Sequence, residues 1–396
     1  MPRLAIVISH PIQYVSPWLQ HLAAGGEVEL RVFYLWNFGV SSQVDRGFGT
    51  ELKWDIPLVE GYAHEFVPNQ ARDPGTHHLR GLDNPELSAR VKTFQPEAVL
   101  LFGYNYLTHY RFIFGWPRHN APLIFRGDSH RLVQPKGIKQ MLKRAWISRV
   151  FERFAAFLYV GRANRDYFLH HGVAEQRLFF SPHSVDNQRF ISQTETAAEQ
   201  AALWKKELGI PPSQRVILFA GKFEQKKRPI DLVCAFKQAA LPNVALVVVG
   251  AGPLESRLRA EAASHPEIFF APFQNQSLMP RTYMLGDLFV LPSFGSGETW
   301  GLAVNEAMCL GRPILVSDHV GCAQDLVEPS QNGLVFTADD QTALTRALQE
   351  AFADPVRLKR WGEQSRRRIE RYGLEQTTAG LLDALRFLGL AIPAAR

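Results

Sequence analysis

The stretch that most constrains the fold runs from Leu288 to Pro313 and reads LFVLPSFGSGETWGLAVNEAMCLGRP. A continuous apolar run, a loop rich in glycine and serine, and an apolar helical pattern follow one another, and Gly311 and Pro313 predict where the helix ends. Strand, small-residue loop and helix is the order that directs free backbone N–H groups and a helix N-terminus at an anion. The stretch therefore predicts an α/β fold with an anion site at this loop.

Two glutamates in this stretch, Glu298 and Glu306, suggest what the anion belongs to. Glu298 would lie in the loop beside the anion, and Glu306 would lie further along the helix. A carboxylate beside a phosphate is costly unless it has another task, such as holding sugar hydroxyls. The pair therefore indicates a phosphorylated sugar held at both ends. The alternative is that both glutamates lie on a solvated helix surface.

The same stretch resembles the signature of the retaining glycosyltransferases of family 4 (glycosyl transferases group 1), which have the GT-B fold. The matching residues are Pro292, Ser293, Glu298, Gly301, Glu306, Ala307, Met308, Gly311 and Pro313. The resemblance implies that Glu298 contacts the donor sugar and that the backbone amides of Gly301 and Leu302 approach the diphosphate. It also implies that Glu306 holds the ribose hydroxyls. Thr299 stands where the family more usually has glycine, which leaves the donor sugar undefined.

The chain as a whole is large enough for two domains, with 396 residues of which 46% are apolar. Three widely spaced cysteines predict neither a disulfide framework nor a metal site, which fits a reducing cytoplasm. No apolar stretch approaches the ~20 residues of a membrane-spanning helix, and the first apolar run is too short for a signal peptide. The net charge of +6 favours anionic partners. Signatures of nucleic-acid binding are missing, so we expect no nucleic-acid partner.

The second half also contains a cluster of cations after a predicted strand. Lys222 and Lys227 suit a diphosphate because each supplies charge-assisted hydrogen bonds and offsets the charge of the leaving group. The family has arginine at the first of these positions, and lysine there lacks the planar fork. A charged turn without function is the alternative. By the same resemblance, Gly221 and Gly252 lie in donor-binding turns, and Phe273 lies in the segment over the nucleotide base.

The first half supplies three candidate residues for the acceptor side. His10 follows the first apolar strand, at the strand end where an open α/β sheet places its ligand. Asp128 and His130 end a later strand, where the family often has a histidine and an aspartate facing the sugar. His10 would bind acceptor or phosphate or carry a proton, or else it only caps or packs. For Asp128 and His130 the alternative is a structural turn with a satisfied histidine.

Residues 136–154 predict an amphipathic helix, with apolar residues at helical spacing and lysines and arginines over the remaining surface. Such a helix either packs on a domain core with a solvated charged face or lies on an anionic membrane. The burial of Trp146 and Phe151 would distinguish the two arrangements. This helix is the possible membrane contact of the protein.

The resemblance implies two Rossmann-like domains facing across a cleft, with residues 1–188 on the acceptor side and residues 189–372 binding a nucleotide sugar. Residues 373–396 would form a helix that packs back on the first domain. No D-x-D pair is placed to hold a metal, because Asp339 and Asp340 fall in a late turn, so we expect no metal and no cofactor.

The expected activity is hexosyl transfer with retention from a nucleotide sugar to a glycan or lipid-linked acceptor. Surface polysaccharide or glycolipid synthesis is the expected setting, with the protein either free in the cytoplasm or peripheral at the inner face of the membrane. Two alternatives from other classes are a sugar-nucleotide epimerase of the same fold and a non-catalytic protein that binds sugar nucleotides. Fold alone does not decide between them.

Overall fold

The computed structural model describes residues 1–40, 43–45, 50–133 and 137–393, without the side chains of residues 43–45, 50–52 and 355. Residue 136, the expected start of the basic helix, lies outside the described residues. The chain divides into two compact units. Unit 1 comprises Met1–Gln43, Ile56–Ser184 and Leu374–Arg396, and unit 2 comprises Val44–Asp55 and Val185–Gly373.

Strands and helices alternate along most of the chain. The strands are β1 (Arg3–Ile8), β2 (Glu29–Tyr34), β3 (Gln43–Asp45), β4 (Thr50–Leu52), β5 (His64–Phe66), β6 (Ala98–Phe102), β7 (Leu123–Arg126), β8 (Ala156–Tyr159), β9 (Leu178–Phe180), β10 (Arg215–Ala220), β11 (Val244–Val249), β12 (Ile268–Ala271), β13 (Leu288–Leu291), β14 (Ile314–Ser317) and β15 (Gly333–Phe336).

The helices are α1 (Ser16–Gly25), α2 (Leu87–Phe94), α3 (Leu107–Gly115), α4 (Ile138–Phe151), α5 (Arg162–His170), α6 (Asn187–Ile191), α7 (Thr194–Glu207), α8 (Pro229–Ala239), α9 (Glu255–Ala262), α10 (Met279–Leu285), α11 (Leu302–Cys309), α12 (Ala323–Leu326), α13 (Gln341–Phe352), α14 (Pro355–Ile369) and α15 (Leu374–Phe387). Short 3₁₀ turns lie at Leu79–Gly81, Glu175–Arg177, Gln225–Lys227, Gln276–Leu278 and Glu370–Tyr372.

Each unit is built on a parallel sheet, as the continuous apolar strands predict. The order in unit 1 is β5-β2-β1-β6-β7-β8-β9, and the order in unit 2 is β12-β11-β10-β13-β14-β15. Both orders reverse once, at β1 and β6 in unit 1 and at β10 and β13 in unit 2. Ligands of open α/β sheets bind at the carboxyl ends of the strands at such a reversal. The predicted α/β class with two Rossmann-like domains is confirmed.

The units differ from the predicted domain limits in three places, the smallest of which is Gly373, which belongs to unit 2 and not to the C-terminal helix segment. Unit 1 ends at Ser184 and not at residue 188, because Asn187 at the start of α6 donates a hydrogen bond to the carbonyl of Ile369 in unit 2 at 3.1 Å. The segment Val44–Asp55 was expected in the first domain but belongs to unit 2. Its last three residues, Lys53–Asp55, contact the stretch Phe273–Ser277 of unit 2, which explains this assignment.

The C-terminal helix α15 packs on unit 1. Its residues Leu381 and Leu385 are fully buried, and the indole N–H of Trp18 donates to the hydroxyl of Thr378 at 3.0 Å. Gly380 lies against the chain after β9, where an added Cβ would come within 1.9 Å of the carbonyl oxygen of Phe180. The absence of a side chain at this one position therefore permits the close approach.

The basic helix is buried over only half of its length. Phe151 is 2% exposed and belongs to the unit 1 core, whereas Trp146 is 48% exposed. Ile138, Met141 and Leu142, which lie on the apolar face of the helical pattern, are exposed. The first nine residues of α4 extend past the core that the last turn and a half contacts. Among the described residues, no helix combines the length and the apolar character that crossing a bilayer requires.

We predict that Gly380→Ala destabilises unit 1 by about 1–3 kcal/mol, the usual cost of overpacking, because the new methyl group meets rigid backbone. Urea unfolding with hydrogen exchange of α15 would measure this loss. The matched control is Gly115→Ala at the end of α3, where nothing lies within 4 Å of the added Cβ. Equal unfolding midpoints for the two variants would contradict the proposed packing of α15.

Candidate active site

The loops that follow β10 and β13 bring Lys227 and Glu298 together in unit 2. Lys227 ends the 3₁₀ turn after β10, and its ammonium donates to Oε2 of Glu298 in the loop after β13. Ser293 donates its hydroxyl to the same oxygen at 2.9 Å. The side chains of Lys227 and Glu298 are 18% and 10% exposed. The strand order reverses at these two strands, so the pair lies where an open α/β sheet binds its ligand.

The loop that carries Glu298 is fixed by backbone contacts. The amide of Gly321 donates to the carbonyl of Glu298 at 3.1 Å, and the amide of Cys322 donates to the carbonyl of Trp300 at 2.9 Å. Gly301 has a φ of 101°, and an added Cβ would lie 3.0 Å from Val320. Gly301 is the residue before α11, so this tight turn places the positive end of the helix dipole beside the loop. Leu302 is the first residue of α11.

Arg228 follows Lys227, and its backbone has the left-handed conformation with φ 52°. A side chain in this conformation costs roughly 1–2 kcal/mol. Ion pairs with Asp231, at 2.7 Å, and with Asp339 hold the guanidinium, which also lies over the ring of Phe294. These contacts stabilise the turn that presents Lys227.

The turn predicted to contact the donor at Gly252 packs on the backbone of the loop after β10. Gly252 has a φ of 152°, and an added Cβ would lie 2.8 Å from backbone atoms of Phe223. The amide of Gly221 donates to the carbonyl of Val249 at 3.0 Å, which joins the two loops at their bases. Lys222 is half-buried in the same loop. Gly221, Lys222 and Gly252 thus lie in neighbouring loops at the carboxyl edge of the sheet.

Glu306 is buried on α11 and has neutral hydrogen-bond partners. The hydroxyl of Tyr283 donates to one carboxylate oxygen at 2.6 Å, and the side-chain amide of Gln276 donates to the other at 3.3 Å. The carboxylate is 1% exposed. Burial raises the pKa of Glu306 to about 7, although Tyr283, the charge of Arg189 and Gln276 lower it. The carboxyl group therefore changes its charge near neutral pH.

Phe273 is half-buried after β12, and its ring meets the ring of Trp54 edge to face, with 6.5 Å between centroids. Sequence reasoning missed Trp54, as it missed Tyr283 and Gln276. None of these residues follows a helical or strand period that points to a site. Their roles come from contacts between segments that lie far apart in the sequence.

In unit 1 the structure brings Asp128 into contact with His183, a residue that the sequence did not single out. Nε2 of His183 lies 3.5 Å from Oδ2 of Asp128, whereas Nδ1 of His130 accepts a hydrogen bond from the amide of Leu132 at 3.3 Å. His183 follows β9, 55 residues further along the chain than Asp128. Burial lowers the pKa of His183, while Asp128 raises it.

His10 lies after β1 and is half-buried, with its ring edge-on to the stacked rings of Trp36 and Phe38 at centroid distances of 6.0 and 5.7 Å. The hydroxyl of Ser9 lies 3.0 Å from its Nδ1. Burial lowers the pKa of His10 to about 4, so the imidazole is neutral at physiological pH. A neutral ring can share a proton with a hydroxyl group but offers no positive charge to a phosphate.

One group of side chains within the described ranges, Asp73, His77 and His78 in a loop of unit 1, could hold a metal ion. Nε2 of His77 and Nε2 of His78 lie 3.1 and 3.4 Å from Oδ2 of Asp73. Asp73 and His77 are exposed and lie outside the candidate donor and acceptor residues. The arrangement is explained by two imidazoles that share one carboxylate on the surface.

Comparisons with known proteins agree with the fold. The family model described as glycosyl transferases group 1 matches residues 200–368. A D-inositol 3-phosphate glycosyltransferase of Nocardia farcinica is 25% identical over 361 residues, which cover 83% of this chain and 77% of that protein. The O-antigen chain mannosyltransferase C of Escherichia coli is 29% identical over 176 residues, or 44% of this chain and 45% of the relative.

A third relative is a GDP-mannose-dependent monoacylated alpha-(1-6)-phosphatidylinositol monomannoside mannosyltransferase of Corynebacterium glutamicum. It is 30% identical over 198 residues, or 48% of this chain and 50% of the relative. Apart from the Nocardia protein, the chain spans about half the length of the curated relatives described here.

Two solved structures are similar over nearly the whole chain. HepE of Anabaena, in complex with UDP and glucose, has a TM-score of 0.72 at 16% identity and covers 98% of this chain and 100% of its own. Sucrose-phosphate synthase of Thermosynechococcus elongatus has a TM-score of 0.71 at 18% identity, with coverage of 98% and 99%. These likenesses show the fold. The match to the model of glycosyl transferases group 1 lies within unit 2, and the fold of the two Rossmann-like units is similar to that of GT-B glycosyltransferases.

Proposed function

We propose that this glycosyltransferase moves a hexose from a nucleoside-diphosphate sugar to a hydroxyl of a glycan or lipid-linked acceptor, with retention and without a metal ion. The observation that carries the donor assignment is the contact between Lys227 and Glu298 where the strand order of unit 2 reverses. Lys227 supplies a cation for the diphosphate, Glu298 supplies a carboxylate for the sugar hydroxyls, and a hydrogen bond joins the two side chains.

Each group has a separate part in the proposed reaction. The bond between the anomeric carbon and the diphosphate oxygen breaks, the acceptor oxygen forms the new bond to that carbon, and the departing diphosphate accepts the proton that the acceptor hydroxyl releases. Lys227, Lys222 and the N-terminus of α11 offset the charge that develops on the departing diphosphate. Glu298 orients the sugar through its hydroxyls. Glu306, with lone pairs left beyond those used by Tyr283 and Gln276, accepts from the ribose hydroxyls.

Metal independence is supported by the cations at this site, which supply the charge that a divalent ion would otherwise provide. Retention is supported by the resemblance of residues 292–313 to the retaining family. The similar proteins include one described as GDP-mannose-dependent and one solved with UDP. A nucleoside diphosphate is therefore the shared chemistry, and the base is left to experiment.

A membrane contact through α4 is the second part of the proposal, with the protein peripheral at the cytoplasmic face of the membrane. Ile138, Met141 and Leu142 are 68–78% exposed, and the cations Lys139 and Lys143 lie on the same exposed half of the helix. Large apolar side chains flanked by lysine are what an interfacial helix inserts into an anionic surface. This position suits a lipid-linked acceptor in the synthesis of surface polysaccharide or glycolipid.

The donor assignment is tested by a thermal-shift screen with uridine, guanosine, adenosine and thymidine diphosphates and their sugars, with and without a chelator. We expect one nucleotide series to raise the melting temperature, unaffected by chelator. Lys227→Ala should lower turnover about 10²–10³-fold, the loss typical of one charged contact to the departing group. Radiolabelled or coupled transfer assays with the identified donor would measure turnover.

The matched control is Lys237→Ala, because Lys237 in the same unit also pairs with a glutamate, Glu261, at 2.7 Å. That variant should keep turnover within about twofold, since a surface ion pair contributes about 0–1 kcal/mol. Full activity in Lys227→Ala would remove the diphosphate assignment. No stabilisation by any nucleotide would favour a non-catalytic role.

We predict that nucleotide affinity depends on pH through Glu306. Because its pKa is raised to about 7, the carboxyl is protonated below that pH and accepts fewer hydrogen bonds from ribose. Affinity should therefore rise as the pH increases from about 6 to 8, and Glu306→Gln should flatten the profile. In the absence of ligand, the pH dependence of folding stability has the opposite sign. The folded state binds this proton more tightly than the unfolded chain, so folding stability falls as the pH rises from about 4.5 to 7.

Calorimetric titration of the identified nucleotide at several pH values would measure the first effect, and unfolding of the wild type against Glu306→Gln would measure the second. An affinity profile that is the same in both proteins would show that another group titrates.

The membrane contact predicts that Met141→Glu with Leu142→Glu reduces binding to vesicles that contain phosphatidylglycerol by at least tenfold. Burying either apolar side chain contributes about 1.5–3 kcal/mol, and the new charges oppose the anionic surface. Flotation with phosphatidylcholine vesicles, with and without phosphatidylglycerol, would measure it. The control is Leu203→Glu, since Leu203 is equally exposed, at 65%, on α7 of unit 2. Equal flotation of the two variants would contradict the assignment.

A further inference from the structure

Residues 53–55 belong to a segment that leaves unit 1 and joins unit 2. The chain lies in unit 1 up to Gln43, in unit 2 over Val44–Asp55, and in unit 1 again from Ile56. The last three residues of this excursion are described with their side chains, and each contacts the stretch Phe273–Ser277 between β12 and α10. The sequence pattern did not predict that this segment belongs to a different unit from the residues on either side of it.

The three contacts differ in kind. The carbonyl of Lys53 accepts from the side-chain amide of Asn275 at 2.8 Å. The ring of Trp54 meets the ring of Phe273 edge to face. The carboxylate of Asp55 accepts from the backbone amide of Ser277, at 3.1 and 3.3 Å to its two oxygens, and from the hydroxyl of the same serine.

Asp55 acts as a helix cap supplied from a distant part of the sequence. Ser277 is the second residue of the 3₁₀ turn Gln276–Leu278, which continues directly into α10. The first amides of a helix have no partner within it, and a carboxylate there gains both a hydrogen bond and the helix dipole. Asn275 completes the cap, because its Oδ1 accepts from the amide of Gln276 at 2.8 Å.

The capped helix carries both hydrogen-bond partners of Glu306. Gln276 lies in its first turn and Tyr283 lies near its end, and each donates to one carboxylate oxygen. The guanidinium of Arg189 in turn donates to Oε1 of Gln276 at 2.7 Å and so fixes the orientation of that amide. A shift of this helix would therefore move both donors away from Glu306.

We propose that Lys53–Asp55 is a positioning segment for the nucleotide site: by capping the helix of Gln276 and Tyr283, it holds Glu306 in the orientation that binds the donor. The inference rests on the proposed function, because it takes Glu306 as a donor-binding group. Asp55 and Trp54 act through other residues and take no part in the reaction itself.

The test compares Asp55→Ala, Asp55→Asn and Asp354→Ala, with UDP and GDP as calorimetric probes. Loss of the cap in Asp55→Ala should raise the Kd of the nucleotide that binds roughly 2- to 30-fold. Asp55→Asn keeps an acceptor oxygen and should stay close to the wild type. Asp354 caps α14 in the same way, with Oδ1 accepting from the amide of Val356 at 2.9 Å, and Asp354→Ala should leave the Kd unchanged.

Kinetics with the matching nucleotide sugar should show a higher donor KM, with kcat and acceptor KM within about twofold of the wild type. A Kd in Asp55→Ala equal to the wild type, or an equal change in Asp354→Ala, would overturn the proposal. So would a change confined to acceptor KM. Should Asp55→Ala not fold, Trp54→Leu provides the second variant, with a weaker donor affinity expected from loss of the contact with Phe273.

Hydrogen exchange separates the failure of this inference from the failure of the proposed function. In Asp55→Ala, the amides of residues 276–285 should exchange faster than in Asp354→Ala, whether or not a nucleotide binds. If the wild type binds no nucleotide, the proposed function fails while the exchange rates still decide the role of the cap. Unchanged exchange at residues 276–285 would overturn the cap.

Discussion

The ion pair between Lys227 and Glu298 is the contact on which the candidate site of unit 2 depends. The two residues are 71 positions apart, and they meet because β10 and β13 are adjacent parallel strands whose carboxyl ends share one edge of the sheet. A largely buried pair gains little net stability, since desolvation opposes the attraction. Yet the backbone of Arg228 has the left-handed conformation, and Gly301 leaves little room for a side chain. Both features hold the two loops in place. Such constraints are expected where a precise arrangement of charges serves a ligand.

The second carboxylate of the same stretch has the opposite environment. Glu298 faces a cation, whereas Glu306 is buried among neutral donors, with its pKa raised to about 7. Two carboxylates in such different surroundings generally have separate tasks. Glu298 suits a fixed charge beside an anion and its sugar. Glu306 suits hydrogen bonding whose strength depends on how well its partners, Tyr283 and Gln276, are held, which is where the cap by Asp55 becomes important.

Sequence reasoning was successful wherever the signal is local. The apolar runs give β11 and β13, and the glycine and proline stops place the end of α11 within two residues. It failed where a contact joins distant segments: Asp128 with His183 is 55 residues apart, and Asp55 with Ser277 is 222 residues apart. For α4 it left two arrangements open, because helical periodicity identifies an apolar face but not how far the core beneath it extends. Buried Phe151 and exposed Met141 belong to the same face of the pattern.

The charges of the two units argue for a division of the substrates. In unit 1, burial lowers the pKa values of His10, to about 4, and of His183. Asp128, which contacts His183, is a half-exposed carboxylate. The neighbouring cation Arg126 is buried and donates to oxygens of the chain after β9. Neutral imidazoles and a carboxylate can hold and deprotonate a hydroxyl but repel or ignore a diphosphate. Unit 2 instead offers Lys227 and a helix N-terminus. This difference supports an anionic donor on unit 2 and a hydroxyl acceptor on unit 1, and it makes phosphate the less suitable of the two ligands considered for His10.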